Sequence, residues 1–154
     1  TDAQVAFSVP TLDEAVWKKL EPGTGRPLKR LQAMKQLADA GVRCGVMIAP
    51  IVPGVTDDEA HLEAVIQAAR DHGASFVSPN VLHLRPGTKE WFMPVLREAY
   101  PHLASRYLKY YRGSYAPESY TNEVLARVGE LRKRYGFSQT RSEQPVASQL
   151  RMAL

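Results

Sequence analysis

Apolar residues along the chain fall into three short unbroken runs separated by stretches of helical period. Val5-Ala6-Phe7-Ser8-Val9 is β-branched and aromatic and stops at Pro10, which predicts a buried strand. Val42 to Val52 is largely continuous in its hydrophobicity, as suits a parallel strand covered on both faces. Ala74 to Leu84 is the third strand candidate, interrupted at Pro79. Between the first two, Leu12, Val16 and Leu20 recur on one helical face until Pro22. A second helix opens at Pro27, where a missing first-turn N–H costs nothing. Leu28, Leu31, Met34 or Lys35, and Ala38 continue its period, with Lys29, Arg30 and Gln36 outward, and Gly41 as its stop. Leu62, Val65, Ile66 and Ala69 give the helix before the third strand, closed by Gly73.

Two start signals share one form. Thr11 with Glu14, and Thr56 with Glu59, have the spacing of a capping box. The carboxylates of Asp13-Glu14 and Asp57-Asp58-Glu59 are explained by the positive end of a helix dipole. Beyond Arg85-Pro86-Gly87 the pattern turns helical, over Glu90 to Tyr111 and Tyr120 to Tyr135, with a loop around Gly113 to Pro117. The organisation read from this is three βα units over residues 1–88, a helical region over 89–137, and a polar tail over 138–154.

Strands alternating with helices of this length imply right-handed crossovers and a parallel sheet. The fold class is therefore α/β: a parallel-stranded partial (βα) TIM-type barrel fragment followed by a C-terminal helical region, or half of a doubly wound sheet. Such a sheet leaves the edge beside Val5 unpaired, a liability that upstream strands would remove. The chain opens at Thr1 without a methionine and is in a strand-like run within a few residues, which points to a fragment.

Composition narrows the classes. At 44% apolar and 23% charged the chain reads as an ordinary globular protein. No apolar run reaches the roughly 18 residues needed to span a bilayer, and no basic-then-apolar leader opens it, so no membrane partner and a cytoplasmic location are expected. A single cysteine, Cys44, excludes an internal disulfide and cannot by itself hold a metal cluster. The net charge of +4 lies wholly in the second part: residues 89–154 hold 11 Lys/Arg against 6 Asp/Glu, together with all seven tyrosines. Basic residues among aromatics suit nucleic acid; a helical layer with half-buried tyrosines and solvated charges explains them as well.

Ligands of α/β folds gather at the carboxyl ends of the strands. Those ends are Ser8 to Thr11, Ala49 to Gly54 and His83 to Gly87. Alternation with Phe7 and Val9 turns Ser8 toward a barrel lumen, although a serine bonding a neighbouring carbonyl is an ordinary structural role. His83 stands alone, without Asp, Glu or Cys at ligand spacing. The chain contains no dinucleotide fingerprint, phosphate loop, nucleophile elbow or metal-binding His pair. Glu21-Pro22-Gly23-Thr24-Gly25-Arg26-Pro27 joins two helices as a stiff turn, with Glu21 and Arg26 as candidates for tying it to a neighbour.

In order and spacing, Phe7-Ser8-Val9-Pro10, Leu20-Glu21-Pro22-Gly23-Thr24, a basic-flanked helix ending Ala40-Gly41, and Gly45-Val46-Met47-Ile48-Ala49-Pro50-Ile51 resemble the radical SAM superfamily. The branch resembled is that of the relatives of spore photoproduct lyase. Val81 to Gly87 with Glu90-Trp91-Phe92, and Tyr115-Ala116-Pro117, are similar to a subgroup of it. The resemblance covers the C-terminal half of such proteins, from about the fourth barrel strand onward. It implies a six-stranded partial barrel holding a 4Fe-4S cluster and S-adenosylmethionine, which is cleaved reductively to a 5′-deoxyadenosyl radical. It also implies that the cluster cysteines, spaced Cys-x-x-x-Cys-x-x-Cys, lie in a missing N-terminal half, and that this chain alone is inactive. By resemblance Ser8 is the hydroxyl that contacts S-adenosylmethionine, and Ile48, Ala49 and Pro50 are the segment along its adenine. No metal ligand and no catalytic residue is carried over. The competing class is a non-catalytic, barrel-derived binding module associated with nucleic acid through residues 89–154. An ordinary phosphate-handling barrel is disfavoured because no strand end shows a glycine-rich anion cradle.

Overall fold

The computed structural model describes residues 3–137; the tail expected over 138–154 lies outside them. Three strands, β1 (Val5–Ser8), β2 (Cys44–Ile51) and β3 (Val77–Val81), form a sheet in the order β1-β2-β3. Both pairings are parallel, with Ser8 beside Met47 and Met47 beside Ser78. Helices α1 (Glu14–Leu20) and α2 (Pro27–Asp39) connect β1 to β2, and α3 (Glu59–Asp71) connects β2 to β3. After β3 come α4 (Thr88–Ala99), a 3-10 turn (Pro101–Leu103), α5 (Ala104–Tyr110) and α6 (Glu118–Arg134). Among the described residues no helix is long and apolar enough to cross a membrane.

One face of the sheet is covered. Val46, Ile48, Val77 and Val81 point into a core with Leu31 and Met34 of α2, Leu62, Val65 and Ile66 of α3, and Val124, Val128 and Leu131 of α6. The residues between them, Ser8, Met47, Ala49, Ser78 and Asn80, are only half-buried. The continuous hydrophobicity of β2 predicts cover on both faces; instead the second face is half-buried and carries Met47 among small and polar side chains, with the Phe76 ring over Gly45. A second cluster stands at the carboxyl ends of the strands, where Val52, Val55, Leu82 and Leu84 meet Phe92, Met93 and Leu96 of α4 and Tyr107 of α5.

The long helix expected over Glu90 to Tyr111 is two helices and a turn. Proline disfavours α geometry in the residue before it, and Tyr100, ahead of Pro101, sits at φ −139°, ψ 65°. The threonines expected as helix caps are not caps. Asp13 accepts from the N–H groups of Ala15 and Val16 at 2.9 and 3.1 Å, and Asp58 from that of His61 at 3.0 Å. A carboxylate one residue before the helix outbids a hydroxyl placed further back. Thr11 and Thr56 are buried, and tie their loops by accepting from the main chain of Asp13 and Val52. In α2, Leu28 is exposed and Pro27 takes its place on the buried stripe with Leu31 and Met34.

The two sheet edges differ. Along β3, Arg132 donates to the Val77 carbonyl at 2.9 Å, Pro79 removes a donor, and the strand's continuation is paired by Leu84 N–H to Ser114 O and by an antiparallel bridge between His83 and Tyr115. These are means of closing a sheet edge. Strand β1 has no proline and no outer strand among the described residues, but its outward carbonyl at Ser8 is likewise met by an arginine, Arg30, at 2.7 Å.

Candidate functional site at the strand ends

The sheet register sets Ser8 at the end of β1 beside the carboxyl half of β2. Its hydroxyl donates to the main-chain carbonyl of Ala49 at 2.6 Å. The two residues named by resemblance on adjacent strands thus meet directly, on the half-buried face. Donation leaves the Ser8 oxygen lone pairs able to accept from a ligand. Ala49 and Pro50 are half-buried beside it, whereas the Ile48 side chain is fully buried in the core. At position 48 only the backbone is available to a ligand.

The loop between α1 and α2 reaches this point through Arg30. Its Nε donates to Gly25 O at 3.0 Å, Nη1 to Ser8 O at 2.7 Å, and Nη2 to Glu21 Oε2 and Thr24 Oγ1 at 3.0 Å each. The Trp17 indole also donates to Thr24 Oγ1, at 3.1 Å. One reading of the sequence is corrected here. Arg30 does not face solvent, because its planar fork matches three acceptors that the turn presents together. Glu21 does tie the turn to a neighbour, to Arg30 of α2, while Arg26 lies 3.8 Å from Glu14 of α1 in an exposed pair.

Beyond the end of β3, His83 Nε2 lies 2.7 Å from Asn80 Oδ1. Its ring meets that of Tyr115 edge-on, with centroids 5.0 Å apart. Burial and the nearby Arg85 charge hold the imidazole pKa below its usual value. Among the described residues His83 Nδ1 is the buried side-chain polar atom without a hydrogen-bond partner. Sequence reading left His83 isolated because its partner, Asn80, is not a residue type sought in ligand or catalytic constellations.

Two tyrosines of the helical region fasten the loops of this rim. Tyr107 donates to Pro53 O at 2.7 Å and Tyr111 to Leu82 O at 2.9 Å. Burial raises the phenol pKa of each, keeping it a neutral donor. Tyr120 donates to Asp57 at 2.6 Å beside a cavity of about 420 Å³ lined also by Arg106 and Arg127. With Tyr107, Tyr111 and Tyr120 buried, their rings offer no stacking surface to a base; Tyr100, Tyr110 and Tyr135 are half-buried, and Tyr115 is 62% exposed.

The residues present do not fit an iron–sulfur cluster. Cys44 is fully buried, its thiol lies 3.4 Å from the Met34 carbonyl, and burial pushes the thiol pKa up. That is the setting of an inert thiol and not of a ligating thiolate. Among the described residues no group of three His, Cys, Asp or Glu side chains could hold a metal ion.

Over 132 residues the chain is 39% identical to uncharacterised proteins of Mycobacterium tuberculosis and Mycobacterium bovis, a stretch that covers 85% of this chain and 39% of each relative. Over 94 residues it is 31% identical to an uncharacterised protein of Acidianus two-tailed virus, covering 59% of this chain and 31% of that protein. No family model and no solved structure matches. The chain spans about two fifths of the length of the mycobacterial relatives it matches.

Proposed function

We propose that this chain is the C-terminal part of a cytoplasmic radical SAM enzyme, three strands of a partial (βα) barrel whose remaining strands lie on the β1 side. The observation that carries the reading is the Ser8–Ala49 hydrogen bond: a hydroxyl and a main-chain segment of adjacent parallel strands, joined at 2.6 Å on the half-buried face. A length well short of the relatives supports it.

In this reading the Ser8 oxygen accepts from a ribose hydroxyl of S-adenosylmethionine, and the backbone of Ile48, Ala49 and Pro50 lies along the adenine. Arg30 fixes the Ser8 carbonyl, so the hydroxyl is presented without a reorganisation cost. Reductive cleavage of the sulfonium is chemistry of the bound cofactors. No step through the cluster is assigned to these residues, since none of them fits it.

The test is anaerobic reconstitution of the full-length protein, read by visible absorption and by release of 5′-deoxyadenosine. Ser8→Ala in that protein is expected to weaken S-adenosylmethionine binding about tenfold, the worth of one hydrogen bond. An upstream sequence without Cys-x-x-x-Cys-x-x-Cys, or a reconstituted protein that releases no 5′-deoxyadenosine, overturns the reading.

A further inference from the structure

The orphaned nitrogen of His83 points to a second recognition element on the same rim. Asn80 belongs to the half-buried face that also carries Ser8 and Ala49, two inter-strand spacings or about 10 Å across the sheet from β1. With Asn80 Oδ1 as acceptor, Nε2 carries the imidazole proton, and Nδ1 is left with a bare lone pair. A buried acceptor without a donor costs stability, and among the described residues this atom has none. Tyr115 lies edge-on to the imidazole and is 62% exposed, so a ring face remains available beside it.

We propose that His83 and Tyr115 form a binding corner for a planar ring bearing a neutral N–H donor: Tyr115 swings off the imidazole and stacks on the ring, while His83 Nδ1 accepts the ring's N–H. A bare imidazole nitrogen can only accept, which requires a donor on the ligand. The cationic Arg85 beside the imidazole disfavours a second cation there, which excludes ammonium and guanidinium donors. The exposed phenol selects a flat partner, because offset stacking needs a second ring face. The corner stands apart from the cofactor reading, since no property of S-adenosylmethionine enters it.

The experiment uses the 154-residue chain, ¹⁵N-labelled, with long-range ¹H–¹⁵N spectra of the imidazoles. The probes are 2-pyridone, a planar ring with one N–H, and N-methyl-2-pyridone, the same ring without it. In the free chain His83 Nδ1 is expected to resonate as an unprotonated, pyridine-like nitrogen. 2-Pyridone is expected to move that resonance in the hydrogen-bonded direction and to bind about fivefold more tightly than its N-methyl analogue. His83→Phe removes the discrimination, and Tyr115→Ala weakens both probes alike. A protonated Nδ1 in the free chain, equal binding of the two probes, or binding of neither overturns the proposal. The probe pair works on the unsubstituted chain, so the result does not hang on His83→Phe folding. S-adenosylhomocysteine, followed at the amides of Ser8 and Ala49, reports separately on the cofactor reading.

Discussion

The guanidinium of Arg30 donates to the main-chain carbonyl of Ser8 at 2.7 Å while its other nitrogen meets the Glu21 carboxylate at 3.0 Å. One side chain thus joins the end of β1 to the turn between α1 and α2. Both partners are shielded, with 19% and 24% of their side chains exposed. Hydrogen bonds to charged groups are worth about 1.5–3 kcal/mol, so Arg30→Ala is expected to lower unfolding free energy by about 2 kcal/mol. Arg26→Ala, in the exposed pair with Glu14, is expected to change it by less than about 0.5 kcal/mol. Urea melts with an unchanged m-value check both; a neutral Arg30→Ala would show that the turn is not braced.

The hydrophobic pattern located the three strands, their parallel order and most helix faces, because burial against a sheet imposes strict periods on the sequence. The Arg30 brace left no such mark. An arginine on the polar side of a helix looks solvated until the turn before it brings Ser8 O, Gly25 O and Glu21 within reach of one fork. Asn80 escaped for a related reason, since its partner His83 lies past the strand end, where alternation no longer assigns faces. At Tyr100 the helical period ran on through a proline whose local rule should have prevailed. Thr11 and Thr56 had capping spacing, but each precedes an aspartate nearer the helix, and the better acceptor took the N–H groups.

Gly45 is a steric requirement of the half-buried face. A Cβ there would run into the Phe76 carbonyl oxygen and lie 2.6 Å from the Phe76 ring. The oxygen accepts from Val46 N–H at 3.0 Å in the β2–β3 pairing, so it cannot withdraw without breaking the sheet. Gly45→Ala is therefore expected to cost about 3 kcal/mol, the upper end of overpacking effects. Gly113→Ala, which meets nothing within 4 Å, serves as the control in the same thermal melts.

Cys44 is expected to behave as a core atom. Its residue is fully buried on the α2 side of β2, and burial raises the thiol pKa, so little thiolate is present near neutrality. Native protein should react with a disulfide reagent only at the rate of global or local opening, and stoichiometrically once unfolded in urea. Rapid labelling of the native chain would place the sulfur at an accessible position and contradict the core assignment.

Stability between neutral and mildly acid pH should depend on His83. Burial, then the Arg85 charge, lowers its folded-state pKa below the unfolded value of about 6.5. The unfolded chain therefore binds a proton more readily, and the stability this group contributes is present above the unfolded pKa and lost as pH falls through the folded one. Carboxylates held low in the fold, such as Glu63 beside the Tyr135 hydroxyl and Arg134, act in a more acid window, below their ordinary pKa of about 4.3. A falling melting temperature from pH 7 toward pH 5 is thus expected for the wild-type chain. His83→Gln keeps a polar side chain near Asn80 without titrating, and is expected to flatten that slope while leaving the loss below pH 4.5 unchanged. An identical slope in the variant would mean that His83 titrates as it does in the unfolded chain and that burial does not penalise its charged form.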